Sequence, residues 1–187
     1  FTLIAGLLSF GMSAQFVQLV VEEVNNNGAV PGRTYRIYAV VKNADDHIHA
    51  VFGEDGHPLK VESTQPFFQS EYGGGMSKEV NRASLADHKE LNYDSWVTIG
   101  AEDNYSNALN VFIMTLDEFE AGKTLQTSDG AWFVTPDNSQ AFAGEDKKIL
   151  LLQLTTEGVV NGVINLQGRT AAGEIFKEYD LTFTCGK

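Results

Sequence analysis

The segment Thr34-Tyr35-Arg36-Ile37-Tyr38-Ala39-Val40-Val41 places Tyr35, Ile37, Ala39 and Val41 on one side and Arg36, Tyr38 and Val40 on the other. A period of two is the signature of a half-buried strand, and a helix cannot reproduce it. Similar runs recur along the chain, separated by clusters of Gly, Asn, Asp and Pro. They include Phe16–Val24, His47–Phe52, Leu59–Ser63, Leu109–Met114, Ala131–Thr135, Lys148–Thr155, Gly162–Gln167 and about 174–184. Lys148–Thr155 is almost continuously apolar at its centre, so it reads as an interior strand covered on both faces. Strands at this density predict an all-β fold, an antiparallel β-sandwich of jelly-roll character. Helical spacing is confined to Asn81–Leu91 and to Leu116–Ala121, the latter ending at Gly122. The chain contains no linker and no low-complexity tract, so residues 15–187 read as one β-sandwich domain.

Phe1–Met12 is apolar and is followed by Ser13-Ala14-Gln15. The run is too short for a membrane span and matches the apolar core of a signal peptide. Residues 1–14 are therefore expected to be an export signal with further residues upstream, cut between Ala14 and Gln15. The mature chain is expected to lie outside the cell or on its surface, without inserting into the membrane. The net charge of −12 and the lack of any Lys/Arg run argue against nucleic acid or an anionic membrane as partner. Cys185 is the one cysteine, so neither an internal disulfide nor a multi-cysteine zinc site is available. It reads as a small apolar residue at the end of the last strand.

Several segments resemble a β-rich module of secreted and surface-displayed bacterial proteins, some of which carry type IX sorting signals. They are Pro31–Ala39, Phe67-Phe68-Gln69, Tyr93–Gly100, Ala131–Asp137 with Ala143-Gly144, and Leu152–Thr156. Together they span most of the mature chain. The resemblance implies an extracellular setting and a structural role for the shared segments, and it brings no catalytic residue with it.

Three groups of residues are candidates for a site. His47 and His49 leave one face of a strand, and a hairpin at Gly53–Gly56 would bring His57 beside them. Imidazoles so placed suit Zn or Cu, although histidines on the wet side of a strand whose Ile48, Ala50 and Phe52 are buried explain the pattern as well. Asp94, Glu102, Asp103 and Asp137 adjoin the two tryptophan strands, and hard oxygens from such loops suit Ca. Asx turns account for aspartates at strand ends equally well. The aromatics form the third group. Trp96 and Trp132 are expected in the core together with the Ile149–Leu154 strand. Tyr72 and Tyr105, in polar loops, are the surface candidates, and Tyr72 begins a glycine loop (Gly73–Gly75) that reads as flexible. The expected ligand-binding set is thus Tyr72, Glu102, Asp103, Asn104 and Tyr105, and the expected metal set is His47, His49, His57, Asp94 and Asp137.

No GxSxG elbow, HExxH helix or phosphate-cradling loop is present. The chain therefore reads as a non-catalytic module that binds an extracellular glycan or a surface protein, or as a structural component of a surface layer. The alternative is a metal- or carboxylate-dependent extracellular hydrolase.

Overall fold

The computed structural model describes residues 15–186. The signal-peptide reading of residues 1–14 lies outside the described residues. The chain forms a β-sandwich whose sheets are built from antiparallel ladders. The strands are β1 (Phe16–Val24), β2 (Arg33–Val41), β3 (His47–Gly53), β4 (Leu59–Ser63), β5 (Trp96–Val97), β6 (Asn110–Phe112), β7 (Leu125–Thr127), β8 (Gly130–Phe133), β9 (Lys148–Thr156), β10 (Val160–Arg169) and β11 (Ile175–Cys185). One sheet has four strands in the order β1-β2-β9-β5, and the other has seven.

Strand β9 lies inside the smaller sheet, between β2 and β5, and every residue from Ile149 to Thr156 is buried. That is why its sequence does not alternate: one face meets the opposite sheet and the other is roofed by residues 76–93. Buried polar groups on β9 are satisfied rather than exposed. Gln153 donates to the Asn92 and Asp94 carbonyls, and Thr155 pairs with Thr34 and donates to the Tyr93 carbonyl.

The larger sheet has fewer lanes than strands. β3 and β4 both pair with one edge of β10, at Asn165–Arg169 and at Val160–Val163, while β11 takes the other edge. Because both run antiparallel to β10, they point the same way. Gly53–Pro58 is therefore an excursion from one long lane and not a hairpin. Glu54 and His57 bridge each other to close it. Asn165, fully buried, fastens its two ends by donating to the Phe52 and His57 carbonyls, each at 2.8 Å. Strands β7 and β8 repeat the arrangement beside β4 and β3. Where the two interrupted lanes meet, a Cβ on Gly53 would overlap the Thr127 carbonyl, so only glycine fits.

The principal core draws on both sheets and includes Ile37, Ile48, Val51, Val97, Ile99, Trp132, Leu152, Ile164 and Leu166. Trp132 is fully buried, and its indole N–H donates to the Thr98 carbonyl at 2.9 Å, tying the larger sheet to the smaller. Trp96 is buried but does not join it. Val97 and Ile99 point inward, so the period-two rule sends Trp96 to the opposite face of β5. There it packs with Val80, Leu91 and Leu150 in a second cluster beneath residues 76–93. The expectation of one shared tryptophan core is corrected on this point.

The segment expected to be helical over Asn81–Leu91 forms 3-10 turns at Arg82–Ser84 and Lys89–Tyr93, with a further one before it at Ser77–Glu79. The later expectation holds: α1 (Asp117–Glu120) is a single turn, with Gly122 beyond it at φ +78°. Cys185 is buried, and burial pushes its thiol up to about 12, as befits an inert apolar side chain. Among the described residues, no helix is long and apolar enough to cross a membrane.

Candidate functional site

The loop Glu102–Tyr105 is a clamp on two arginines. Glu102 accepts from Arg36 at 2.7 Å, and the same guanidinium donates from Nε to Gln153 at 2.9 Å. Asp103 is buried and accepts from Arg82 Nε at 2.7 Å and from the Tyr105 N–H at 2.8 Å. The Asn104 side chain accepts from the Arg82 backbone N–H, and the Arg82 guanidinium lies 4.6 Å from the centre of the Tyr105 ring. These contacts hold the 3-10 turn at Arg82 against the sheet. Their polar groups are consumed by the protein itself, and the cavity beside them, at Trp96 and Arg36, measures only about 60 Å³.

Tyr72 is stacked on His88, with ring centroids 3.6 Å apart. The glycines that follow it are pinned rather than free. Gly75 N–H donates to Glu120 and Met76 N–H to Glu79, each at 2.9 Å. A Cβ on Gly73 would overlap the carboxylate of Asp94. Close approach of backbone to these acids explains the glycine run, and the expectation of a flexible loop is corrected.

Asp94 has no exposed surface. Its Oδ1 accepts from Ser70 N–H at 2.7 Å and Ser95 N–H at 3.0 Å, while Oδ2 has no partner within hydrogen-bond geometry. Burial pushes its pKa from the ordinary 3.8 up to about 7, against the pull of neighbouring backbone N–H groups at Ser70, Ser95 and Gly74.

The expected metal set is not brought together. His57 lies past Phe52, at the end of β3 opposite to His47, where it pairs with Asp180 at 2.8 Å and packs on Tyr179. The hairpin that would have returned it to His47 does not form, for the reason given above. Asp137 is exposed on the turn after β8, and Asp94 is sealed behind the smaller sheet. Among the described residues, no three His, Cys, Asp or Glu side chains converge as a metal would require.

His47 and His49 do stay together, with ring centroids 5.7 Å apart. They occupy the outer face of the larger sheet, since Ile48 between them enters the core. Both are nonetheless only 6% exposed. His47 is covered by the Phe142 ring at 4.7 Å, in a segment held to β3 by a bridge to His47 itself. His49 sits at a β-bulge: Ala50 pairs with Gln167 and Ile48 with Gly168, leaving His49 unmatched. Its Nε2 meets Gln167 Nε2 at 3.0 Å, so Nε2 is the acceptor and Nδ1 bears the proton. That Nδ1 has no partner within hydrogen-bond geometry, nor does Nε of Arg169, the cross-strand neighbour of His47, and the His47 ring nitrogens have only a loose approach to the Asp45 backbone. Burial, then the nearby His47, then Arg169 lower the pKa of His49 to about 4, and burial followed by Arg169 lowers that of His47.

Beside His49 runs an open groove of about 370 Å³, walled by Phe112, Ala131, Phe133, Val134, Thr135 and Pro136, with Gln167 at its edge. Phe112 is 61% exposed there. A larger depression of about 480 Å³ lies between α1 and β7, but none of the buried unpartnered atoms lines it. Phe52 is buried as expected, but the bulge turns it and Ala50 away from the inter-sheet face that Ile48 enters, Phe52 packing against Tyr179. Gln167, Arg169, Phe112, Phe133 and Phe142 were not foreseen from the sequence. The alternation of Asn165, Gln167 and Arg169 opposite Leu166 marks the outer face of β10, but nothing local marks its partners. Comparison of the chain with protein-family models, curated proteins and solved structures finds no match in any of the three.

Proposed function

We propose that the chain is a non-catalytic module of an extracellular or cell-surface protein that binds a saccharide in the groove on the outer face of the larger sheet. One observation carries the reading: the groove combines apolar walls (Phe112, Phe133, Pro136) with a hydrogen-bonded polar edge (His49 and Gln167). A pyranose ring has apolar C–H faces and a rim of hydroxyls. Aromatic rings take the face, and a few placed polar groups fix its orientation. The external setting rests on the N-terminal apolar run and on the resemblance to surface modules.

In this groove the hydrolase alternative lacks an open acid. Asp94 has the pKa of a general acid but is sealed beneath Gly73, and the groove wall contains no carboxylate.

Glycan-array screening followed by NMR titration tests the proposal. Binding should shift the amide signals of Ala131–Thr135 and Gln167, and Phe112→Ala should weaken it. The absence of any saccharide ligand at millimolar concentration, or a ligand that shifts signals elsewhere only, overturns it. Capture of a protein partner on this face would replace the saccharide reading.

A further inference from the structure

We infer that Arg169, with His47 and His49, forms an oxyanion subsite beside the groove, so that the saccharide it takes is an acidic one bearing a carboxylate or sulfate. The inference rests on the saccharide reading of the groove and specifies its ligand class.

The first argument is charge. The chain has 25 acidic residues against 13 Lys and Arg, so cations here have a surplus of potential partners. Of the four arginines, Arg33 pairs with Glu23, Arg36 with Glu102 and Arg82 with Asp103. Arg169 has no carboxylate within ion-pair distance among the described residues. The acid nearest in the chain to His47 is Asp46, and it is already occupied. Its Oδ1 accepts from Ala171 N–H at 2.9 Å, and its Oδ2 accepts from Asn43 N–H at 2.9 Å and from the Asn43 amide at 3.0 Å. Lys177, further along the same face, is paired with Glu54.

The second argument is the accounting of donors. A buried polar group without a partner costs about 1–3 kcal/mol, and native structures hold few of them. Four of the five unpartnered buried side-chain atoms among the described residues belong to His47, His49 and Arg169. A neutral His47 has one N–H and one acceptor nitrogen, so three of the four are donors. Their clustering on one face, next to the apolar groove, is the pattern left when a bound group supplies acceptors for them. An imidazole N–H and a guanidinium N–H both donate, and Arg matches the planar geometry of a carboxylate or sulfate. Burial and the neighbouring Arg169 favour the neutral form of both imidazoles, so the positive charge offered to the ligand is that of Arg169. A divalent cation fits this cluster poorly, because the guanidinium would stand beside it.

Calorimetric titration of the full chain with three tetrasaccharides tests the inference: a hexuronic-acid tetramer, a sulfated hexose tetramer and the uncharged hexose tetramer. At least one acidic tetramer should bind about tenfold or more tightly than the uncharged one, the value of a charged hydrogen bond. The acidic tetramer that binds identifies carboxylate or sulfate as the group recognised. Arg169→Gln should abolish the advantage and leave affinity for the uncharged tetramer unchanged, while Arg169→Lys should retain part of it. Thermal melts of both variants confirm folding. Equal affinity for all three tetramers, or a preference that survives Arg169→Gln, overturns the inference and leaves the groove reading standing. Failure of all three to bind removes both.

Discussion

Asp94→Asn separates the electrostatic cost of a sealed carboxyl from its structural use. Asp94 Oδ1 accepts two backbone N–H groups, from Ser70 and Ser95, and an asparagine oxygen can accept the same two. Only the wild-type side chain can ionise. Its folded pKa is raised from 3.8 to about 7, so the folded state holds the proton more tightly than the unfolded chain does. The contribution is therefore fully present below pH 3.8 and is lost as pH rises toward and through 7. At about 1.4 kcal/mol per pKa unit, the wild type should lose on the order of 4 kcal/mol relative to the asparagine variant across that window. For a chain of this size the equivalent change in Tm is on the order of 10 °C. Thermal unfolding of both proteins by circular dichroism at pH 4, 6 and 8 measures it. The gap between variant and wild type should widen in favour of the variant as pH rises. A constant offset, such as one left by the asparagine NH₂ facing the unpartnered position, cancels in that comparison. A gap that does not change with pH refutes the reasoning.

Three other changes have defined outcomes. His49→Gln should remove an acid sensitivity of the opposite sign. The folded pKa of His49 is lowered from 6.5 to about 4, so its contribution is full above 6.5 and is lost as pH falls to 4. The loss is about 3 kcal/mol in the wild type, read as a Tm difference between the two proteins that appears between pH 7 and 4. Gly73→Ala should destabilise by about 1–3 kcal/mol through overlap with the Asp94 carboxylate, measured as a lower urea midpoint. Trp132→Phe leaves the Thr98 carbonyl without its indole donor, and should lower the same midpoint by about 1–3 kcal/mol. An unchanged midpoint in either variant contradicts the contact assigned to it.

The class of fold was legible because it depends on local pattern. The alternation in Thr34–Val41 and the unbroken apolar centre of β9 each state which faces are covered, and the sandwich follows from them. Lane order was not legible. The sequence Gly53-Glu54-Asp55-Gly56 has the composition of a hairpin turn, yet Asn165 of β10 fastens Phe52 to His57, and β3 and β4 continue along one line. The deciding residue is more than a hundred positions away. Trp96 was misplaced for a related reason: period two fixes that Trp96 and Val97 face opposite ways, but not which of the two faces is the inter-sheet core.

The candidate site was half visible for the same physical reason. His47 and His49 could be paired from their spacing alone, since i and i+2 share a face of a strand. Whether those imidazoles matter depends on what is missing around them, and a missing partner leaves no trace in local sequence. Arg169 reads like Arg33, Arg36 or Arg82 until every carboxylate has been assigned. The acids that did look functional, Glu102 and Asp103, turn out to be the partners that Arg36 and Arg82 require. In a chain with about two acids for every base, an acid near a loop is the expected background, and an arginine without one is the exception. Charge excess thus inverts the usual search: among the arginines of the described residues, the informative one is the one that no carboxylate has claimed.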